Sequence, residues 1–185
     1  MDNGSKSYRR FLDGDNTGLV EIIRDYKDGL MLYINSLVHD IHIAEELTED
    51  TFFRLMTKKA RFSGKGSFKS WLYSVGRNVS VDYLRRQKRR PTVSIEDAEN
   101  SLREEQSLED AYIKEESKRM VHRALSTLSS DYRAVLWLVF FEGFSSKEVA
   151  KILGKSDRQT ANLLYRAKQS LKLKLEKEGF VYEDL

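Results

Sequence analysis

The sequence predicts an all-α fold: two small helical domains joined by a flexible acidic linker, the second domain built on a helix-turn-helix. Three observations carry this. Apolar residues recur at helical spacing, and no segment alternates with period two. The single proline, Pro91, follows a run of arginines, and a helix cannot continue through it without losing a hydrogen bond. From about Thr92 to Ser107 the chain is polar and acidic with few apolar residues, the composition of a linker. The domains are therefore placed at 1–90 and 108–185, with the linker at 91–107.

In the first domain, Leu19, Ile22, Ile23, Tyr26, Leu30, Ile34 and Leu37 mark one helix. A second runs from Ile43 to about Lys59, with Ala44, Leu47, Thr51 and Leu55 inward. Ser63 to Ser67 form a loop, where Gly64 and Gly66 permit unusual backbone angles or the close approach of a ligand. A third helix starts near Phe68, sets Phe68, Trp71, Leu72, Val75 and Val79 on one stripe, and carries the arginines at its far end. In the second domain the pattern predicts a helix from Leu108 to Leu128. Ser129 or Ser130 caps the next, which bears Ala134, Val135, Leu138 and Phe141 and ends at Gly143. Ser145 and Glu148 form a capping box for a short helix that Gly154 stops. Ser156 caps the last helix, with Thr160, Leu163, Leu164, Ala167, Leu171 and Leu175 inward.

The net charge of +3 hides an uneven distribution. From Arg54 to Arg90 there are twelve Lys and Arg and a single acid, Asp82. Residues 91–120 hold nine acids against four bases. Aromatics inside the basic block suit nucleic acid, because cations neutralise phosphates while ring faces accept unstacked bases. The absence of cysteine excludes disulfides and thiolate metal sites. No stretch approaches the roughly 20 apolar residues that span a bilayer, and no apolar signal core is evident, so a soluble, cytoplasmic protein is expected. His39 and His42 lie about one turn apart, but with no third ligand they are read as a helix end and a loop. No phosphate-binding loop, nucleophile elbow or zinc-protease motif is present, so neither an enzyme nor a cofactor is expected.

The short helix, the glycine turn and the longer helix with polar first turns read as a helix-turn-helix. Its second helix would present Arg158, Gln159, Asn162, Tyr165 and Arg166 to base edges. Arg forks onto guanine, and Gln or Asn pairs with adenine. On this segment alone an ordinary helical hairpin with a solvated polar face is an equal alternative.

Two sets of motifs then resemble one family. Ala44 to Phe52, Phe68 to Tyr73, Asn78 and Asp82 to Arg86 look like region 2 of bacterial sigma factors. Gly143 to Gly154 and Tyr165 to Lys168 look like region 4. The short length, with only these two units, resembles the extracytoplasmic-function (ECF) group. The resemblance implies core RNA polymerase as a partner, bound through the β′ clamp and the β flap, together with promoter DNA and an anti-sigma factor. It implies a polymerase-binding face at Glu45, Glu46, Glu49, Asp50 and Arg54. It implies −10 contacts at Phe62, Lys65, Lys69, Arg77, Asn78, Asp82, Arg85, Arg86 and Arg89, with a flipped base captured by the Phe62–Ser67 loop. It implies −35 contacts at Arg158, Gln159, Asn162, Tyr165, Arg166 and Lys168. Ala161 and Leu163 replace two cations common in the family, so no −35 sequence transfers. The rival readings are a stand-alone helix-turn-helix regulator, which leaves the basic block unexplained, and a nuclease, for which the acids lack metal-ligand spacing.

Overall fold

The computed structural model describes residues 2–58, 62–64, 66–89 and 116–179. The expected linker, Lys65, and the first half of the helix expected from Leu108 lie outside these residues. Eight α-helices are described: α1 (Asn3–Leu12), α2 (Thr17–Val38), α3 (Ile41–Lys58), α4 (Phe68–Arg89), α5 (Glu116–Ser126), α6 (Ser130–Leu136), α7 (Ser146–Leu153) and α8 (Asp157–Lys177). None of the described helices is long and apolar enough to cross a membrane.

The periodic stripes become the core. Leu30, Ile34, Ala44, Leu55, Phe68 and Leu72 are each fully buried. Thr48 and Thr51 share the inward stripe of α3 because each hydroxyl donates to a carbonyl one turn back, Ala44 and Leu47, at 2.6 and 2.7 Å. Burial there leaves no polar atom of these two side chains stranded.

Helix α1 has no counterpart in the sequence reading. Its caps explain why it forms. Asp2 Oδ1 accepts from the Ser5 amide at 2.7 Å, satisfying a free donor of the first turn. Tyr8 and Phe11 then bury against the domain. Helix α1 crosses the start of α2 very closely. A Cβ on Gly18 would sit 2.1 Å from the Ser7 carbonyl oxygen and 3.0 Å from the Phe11 amide nitrogen, and both are backbone atoms.

Other boundaries follow local chemistry. His39 ends α2 in the left-handed region at φ 62°, and Asp40 accepts from the Ile43 amide at 2.9 Å to start α3. His42 therefore lies in the first turn of α3 and not in a loop. The Ser145–Glu148 capping box is present, Gly154 stops α7 at φ 62°, and Ser156 caps α8. Ser129 is the N-cap of α6, although its side chain makes no capping bond. Beyond Leu136 the expected uninterrupted helix gives way to a π turn over Trp137–Phe141. The Glu142 amide reaches back five residues to the Trp137 carbonyl at 3.1 Å, which displaces the helix end by one residue.

The two domains pack together. Helix α2 lies against α3 and α1 on one side and α6 on another, while α4 packs on α7. One continuous cluster of buried side chains runs from Tyr8 in the first domain to Ala167 in the second.

Gly18→Ala is expected to lower the unfolding free energy by about 1–3 kcal/mol, the usual cost of overpacking, because two backbones must separate. Urea denaturation followed by far-UV circular dichroism measures it.

Candidate nucleic-acid interface

One stripe of helix α4 runs from the edge of the core to solvent. Trp71, Val75, Asn78, Asp82, Arg85 and Arg89 recur at spacings of four and three, so they share a face. Trp71 and Val75 are half-buried, whereas Asn78, Asp82, Arg85 and Arg89 are exposed. At the buried end sits an aromatic cluster. Phe62 meets Phe68 edge-on at 5.7 Å and Trp71 at 5.5 Å, and Tyr8 of α1 lies 5.3 and 5.4 Å from the same two rings. Phe62 is half-buried and keeps part of its ring open. Asn78 is seven residues, or about 10 Å, along the helix from Trp71. At the exposed end Arg86 donates to the Asp82 carbonyl at 3.3 Å, and Arg85 lies 4.0 Å from the Asp82 carboxylate. These contacts are loose and solvated, so the arginines stay available to other anions. Arg77 is half-buried on an adjoining face.

Lys69 stands apart from the other cations of this block. Its ammonium is 2.8 Å from Glu142 Oε2 and donates to the Glu142 carbonyl at 2.9 Å. It also lies over the Phe144 ring at 4.9 Å. The Tyr73 hydroxyl donates to Glu142 Oε2 at 2.6 Å. The Glu142 side chain is only 9% exposed. Burial, and then the Glu142 charge, push the Tyr73 phenol far up, so it remains a donor. Gly29 of α2 makes room here, since a Cβ would lie 2.7 Å from the Tyr73 hydroxyl and 3.1 Å from Glu142 Oε1. Lys69, expected on a phosphate, is thus held by the other domain in this structure.

Two further contacts join the domains. Ser67 of the loop donates to Glu148 Oε1 at 2.7 Å, so the α7 capping box also holds the loop. Burial pushes the Glu148 carboxyl up, but bonds from Ser67 and Ser145 outweigh this and leave it below its ordinary value. On α6, the Arg133 Nη2 is 2.7 Å from His39 Nε2. Arg has only donors, so the His39 nitrogen must accept, which requires a neutral ring. Burial, then the Arg133 charge, bring the His39 pKa down to about 4.

On α3, Glu45, Glu46 and Glu49 are exposed, while Asp50 and Arg54 are half-buried. Asp50 and Arg54 pair with each other at 2.9 Å, and Glu45 lies 3.7 Å from Lys27. The same face carries Phe53, 59% exposed, and Met56, 45% exposed, which the acidic pattern did not bring out. Four-residue spacing from Glu45 through Glu49 to Phe53 was the available signal.

On α8, Arg158, Asn162, Tyr165 and Arg166 are exposed on the outer side of the first turns. Two other expected readers are engaged elsewhere. The Gln159 carboxamide oxygen accepts from the Ser156 amide at 2.9 Å, closing a second capping box. Lys168 turns over the Phe140 ring at 5.2 Å. Among the described residues no group of three or more His, Asp or Glu is placed to hold a metal ion.

A helix-turn-helix packed on a helical domain with an aromatic and cationic outer stripe is an arrangement suited to nucleic acid. The family model for sigma-70 region 2 matches residues 22–90, and that for sigma-70 region 4 matches residues 118–171. The chain is 30% identical over 152 residues to the ECF RNA polymerase sigma factor SigM of Bacillus subtilis (strain 168), covering 82% of this chain and 91% of that one. Two solved structures share the fold. CnrH in complex with the cytosolic domain of CnrY gives a TM-score of 0.67 at 20% identity, over 95% of this chain and 99% of that one. The sigma factor RpoE in complex with the anti-sigma factor NepR, from Bartonella quintana, gives 0.64 at 22% identity, over 84% and 95%. The chain belongs to the ECF group of RNA polymerase sigma factors.

Two outcomes follow from the domain contacts. Glu142→Ala removes the acceptor of Lys69 and Tyr73 and is expected to cost about 1–3 kcal/mol, with the Lys69 share reduced by solvent screening. A double-mutant cycle with Lys69→Ala in urea denaturation should return a non-additive coupling. For His39, the unfolded ring binds a proton below its ordinary pKa of 6.5, whereas the folded ring resists protonation until about 4. The unfolded state therefore holds more protons across that window, and stability falls as the pH drops through it. His39→Asn, which tolerates the left-handed backbone, should flatten that part of the stability-versus-pH curve.

Proposed function

We propose that the chain docks on core RNA polymerase through the outer face of α3, opens promoter DNA at α4 and the Phe62–Ser67 loop, and reads an upstream element with α8. The domains assigned at 1–90 and 108–185 divide the work as −10 and −35 modules. The observation that carries the reading is the α4 stripe, which runs from an aromatic cluster through Asn78 to exposed arginines. Cations at its far end suit phosphates, and the open part of Phe62 suits an unstacked base. Unpairing costs a few kcal/mol, and each stacked base returns about 1–3 kcal/mol. The balance is close enough that contacts from the polymerase decide it, and no nucleotide hydrolysis is needed to begin melting.

On α3, Glu45, Glu46 and Glu49 would steer a basic helix into register. Phe53 and Met56 supply the apolar contact that charge alone does not. In region 4, Arg158, Asn162, Tyr165 and Arg166 face the major groove, and the β flap is the second polymerase contact. The RpoE structure contains an anti-sigma factor, and a comparable inhibitor is proposed for this chain. A protein that acts with core polymerase would work in the bacterial cytoplasm.

Run-off transcription with purified protein, bacterial core polymerase and a library of promoter-length DNA tests the proposal. Start sites sharing two spaced motifs are expected. Arg166→Ala should relax preference at the upstream motif by about 1–3 kcal/mol if its contact is bidentate. No transcripts, together with specific DNA binding in the absence of core, would establish the stand-alone regulator instead.

A further inference from the structure

A cavity of about 470 Å³ opens between α1 and the loop that precedes α4. Small-molecule sites occupy roughly 300–1,000 Å³, so the space accepts a planar heterocycle. Phe62 lines one side, and Ser63, Gly64, Gly66 and Ser67 of the loop, all small residues, leave room beside it. The opposite wall belongs to α1 and includes Asp2, Ser5 and Arg9. This helix lies before the segment that matches sigma-70 region 2.

The polar groups on that wall are not equivalent. Asp2 is fully engaged: Oδ1 accepts from the Ser5 amide and hydroxyl, and Oδ2 accepts from the Phe68 amide. Arg10, the neighbour of Arg9, is bound by Asp15, Thr17 and Glu21. Arg9 is exposed, lines the cavity, and its side chain has neither an ion pair nor a hydrogen bond among the described residues. Complementing the carboxyl end of α1 accounts for a cation in the last turn, and Arg10 already meets that need. It does not account for an unengaged guanidinium at the rim of a cavity with an aromatic side.

We propose that this cavity seats the unstacked promoter base and that Arg9 reads it, selecting a base with two adjacent acceptors. The proposal rests on the reading of the Phe62–Ser67 loop as the base-capture element. Guanine presents O6 beside N7, and cytosine presents O2 beside N3. The planar fork of Arg donates two parallel bonds to either. Adenine and thymine place a donor beside each acceptor on the edges open to the fork, so one arm of the guanidinium would meet an N–H group. Arg9 is thus a specificity-determining residue supplied by a helix outside the matched region.

The test uses the full chain assembled with core RNA polymerase and a randomised pool of single-stranded DNA, with bound strands sequenced. The wild type should enrich guanine or cytosine at one position. Arg9→Ala should reduce that enrichment roughly tenfold, within the range of one lost bidentate contact, and leave other positions and core binding unchanged. Arg9→Lys keeps the charge without the fork and should lose discrimination while retaining overall affinity. Undiminished enrichment in Arg9→Ala overturns the proposal, as does a uniform loss at all positions, which marks a phosphate contact. Phe62→Ala separates the two layers of the argument. If it abolishes the enrichment while Arg9→Ala does not, the loop captures a base without Arg9. If the wild type enriches no position, base capture by the loop fails, and the role of Arg9 fails with it.

Discussion

The packing of the two domains turns on one carboxylate. Glu142 leaves the end of the π turn with 9% of its side chain exposed. An ion so placed has lost most of its hydration, and only close partners offset that cost. Lys69 and Tyr73 of α4 provide them, at 2.8 and 2.6 Å. Both lie near the start of α4, the helix that bears the stripe proposed to face DNA. The π turn helps to place the carboxylate, because one inserted residue changes the direction in which the chain leaves Phe141. Under the proposed DNA contact, the consequence is competition. Lys69 cannot give the same short contact to Glu142 and to a phosphate, so occupancy of one site weakens the other by linkage.

Charge along α4 is graded by how firmly each cation is held. Lys69 is fixed against the second domain, whereas Arg85 and Arg86 make only the loose Asp82 contacts. Mobile surface cations give long-range attraction to a polyanion with little directional demand. Directional recognition needs groups whose geometry is already set. On this chain those are the aromatic cluster and Ser67, which is tied to Glu148. Under the proposed function, affinity and discrimination would fall to opposite ends of one helix.

Much of the fold was legible because it rests on local rules. The inward faces of α3 and α8 follow from apolar spacing, and the α7 capping box from Ser145 and Glu148. The helix-turn-helix follows from these together with Gly154. What escaped depends on partners distant in sequence. Helix α1 offers few apolar residues and draws its stability from Tyr8 and Phe11 docking on α2 and α4. The engagement of Lys69 by Glu142 spans 73 residues, and no spacing rule reaches that far. The capping role of Gln159 was within reach, since serine followed three residues later by glutamine is the same signature that identified α7. Phe53 and Met56 escape as well, because acids dominate the pattern of that face.

Asp2 shows how a residue outside the matched segment governs the geometry within it. One carboxylate oxygen caps α1 through Ser5, and the other caps α4 through the Phe68 amide. A single planar group therefore fixes the starts of two helices relative to each other. Burial pushes the Asp2 carboxyl up, but these bonds outweigh it and hold the acid below its ordinary value, so it stays ionised near neutral pH. An ionised acceptor makes stronger bonds to backbone amides than a neutral one. The aromatic contacts of Tyr8 with Phe68 and Trp71 reinforce the same join one turn further on. The cavity between α1 and the loop is consequently walled by elements held from both sides before any ligand arrives. A site that is already ordered loses less conformational entropy on binding, and the small energies of a single base contact can then appear as selectivity.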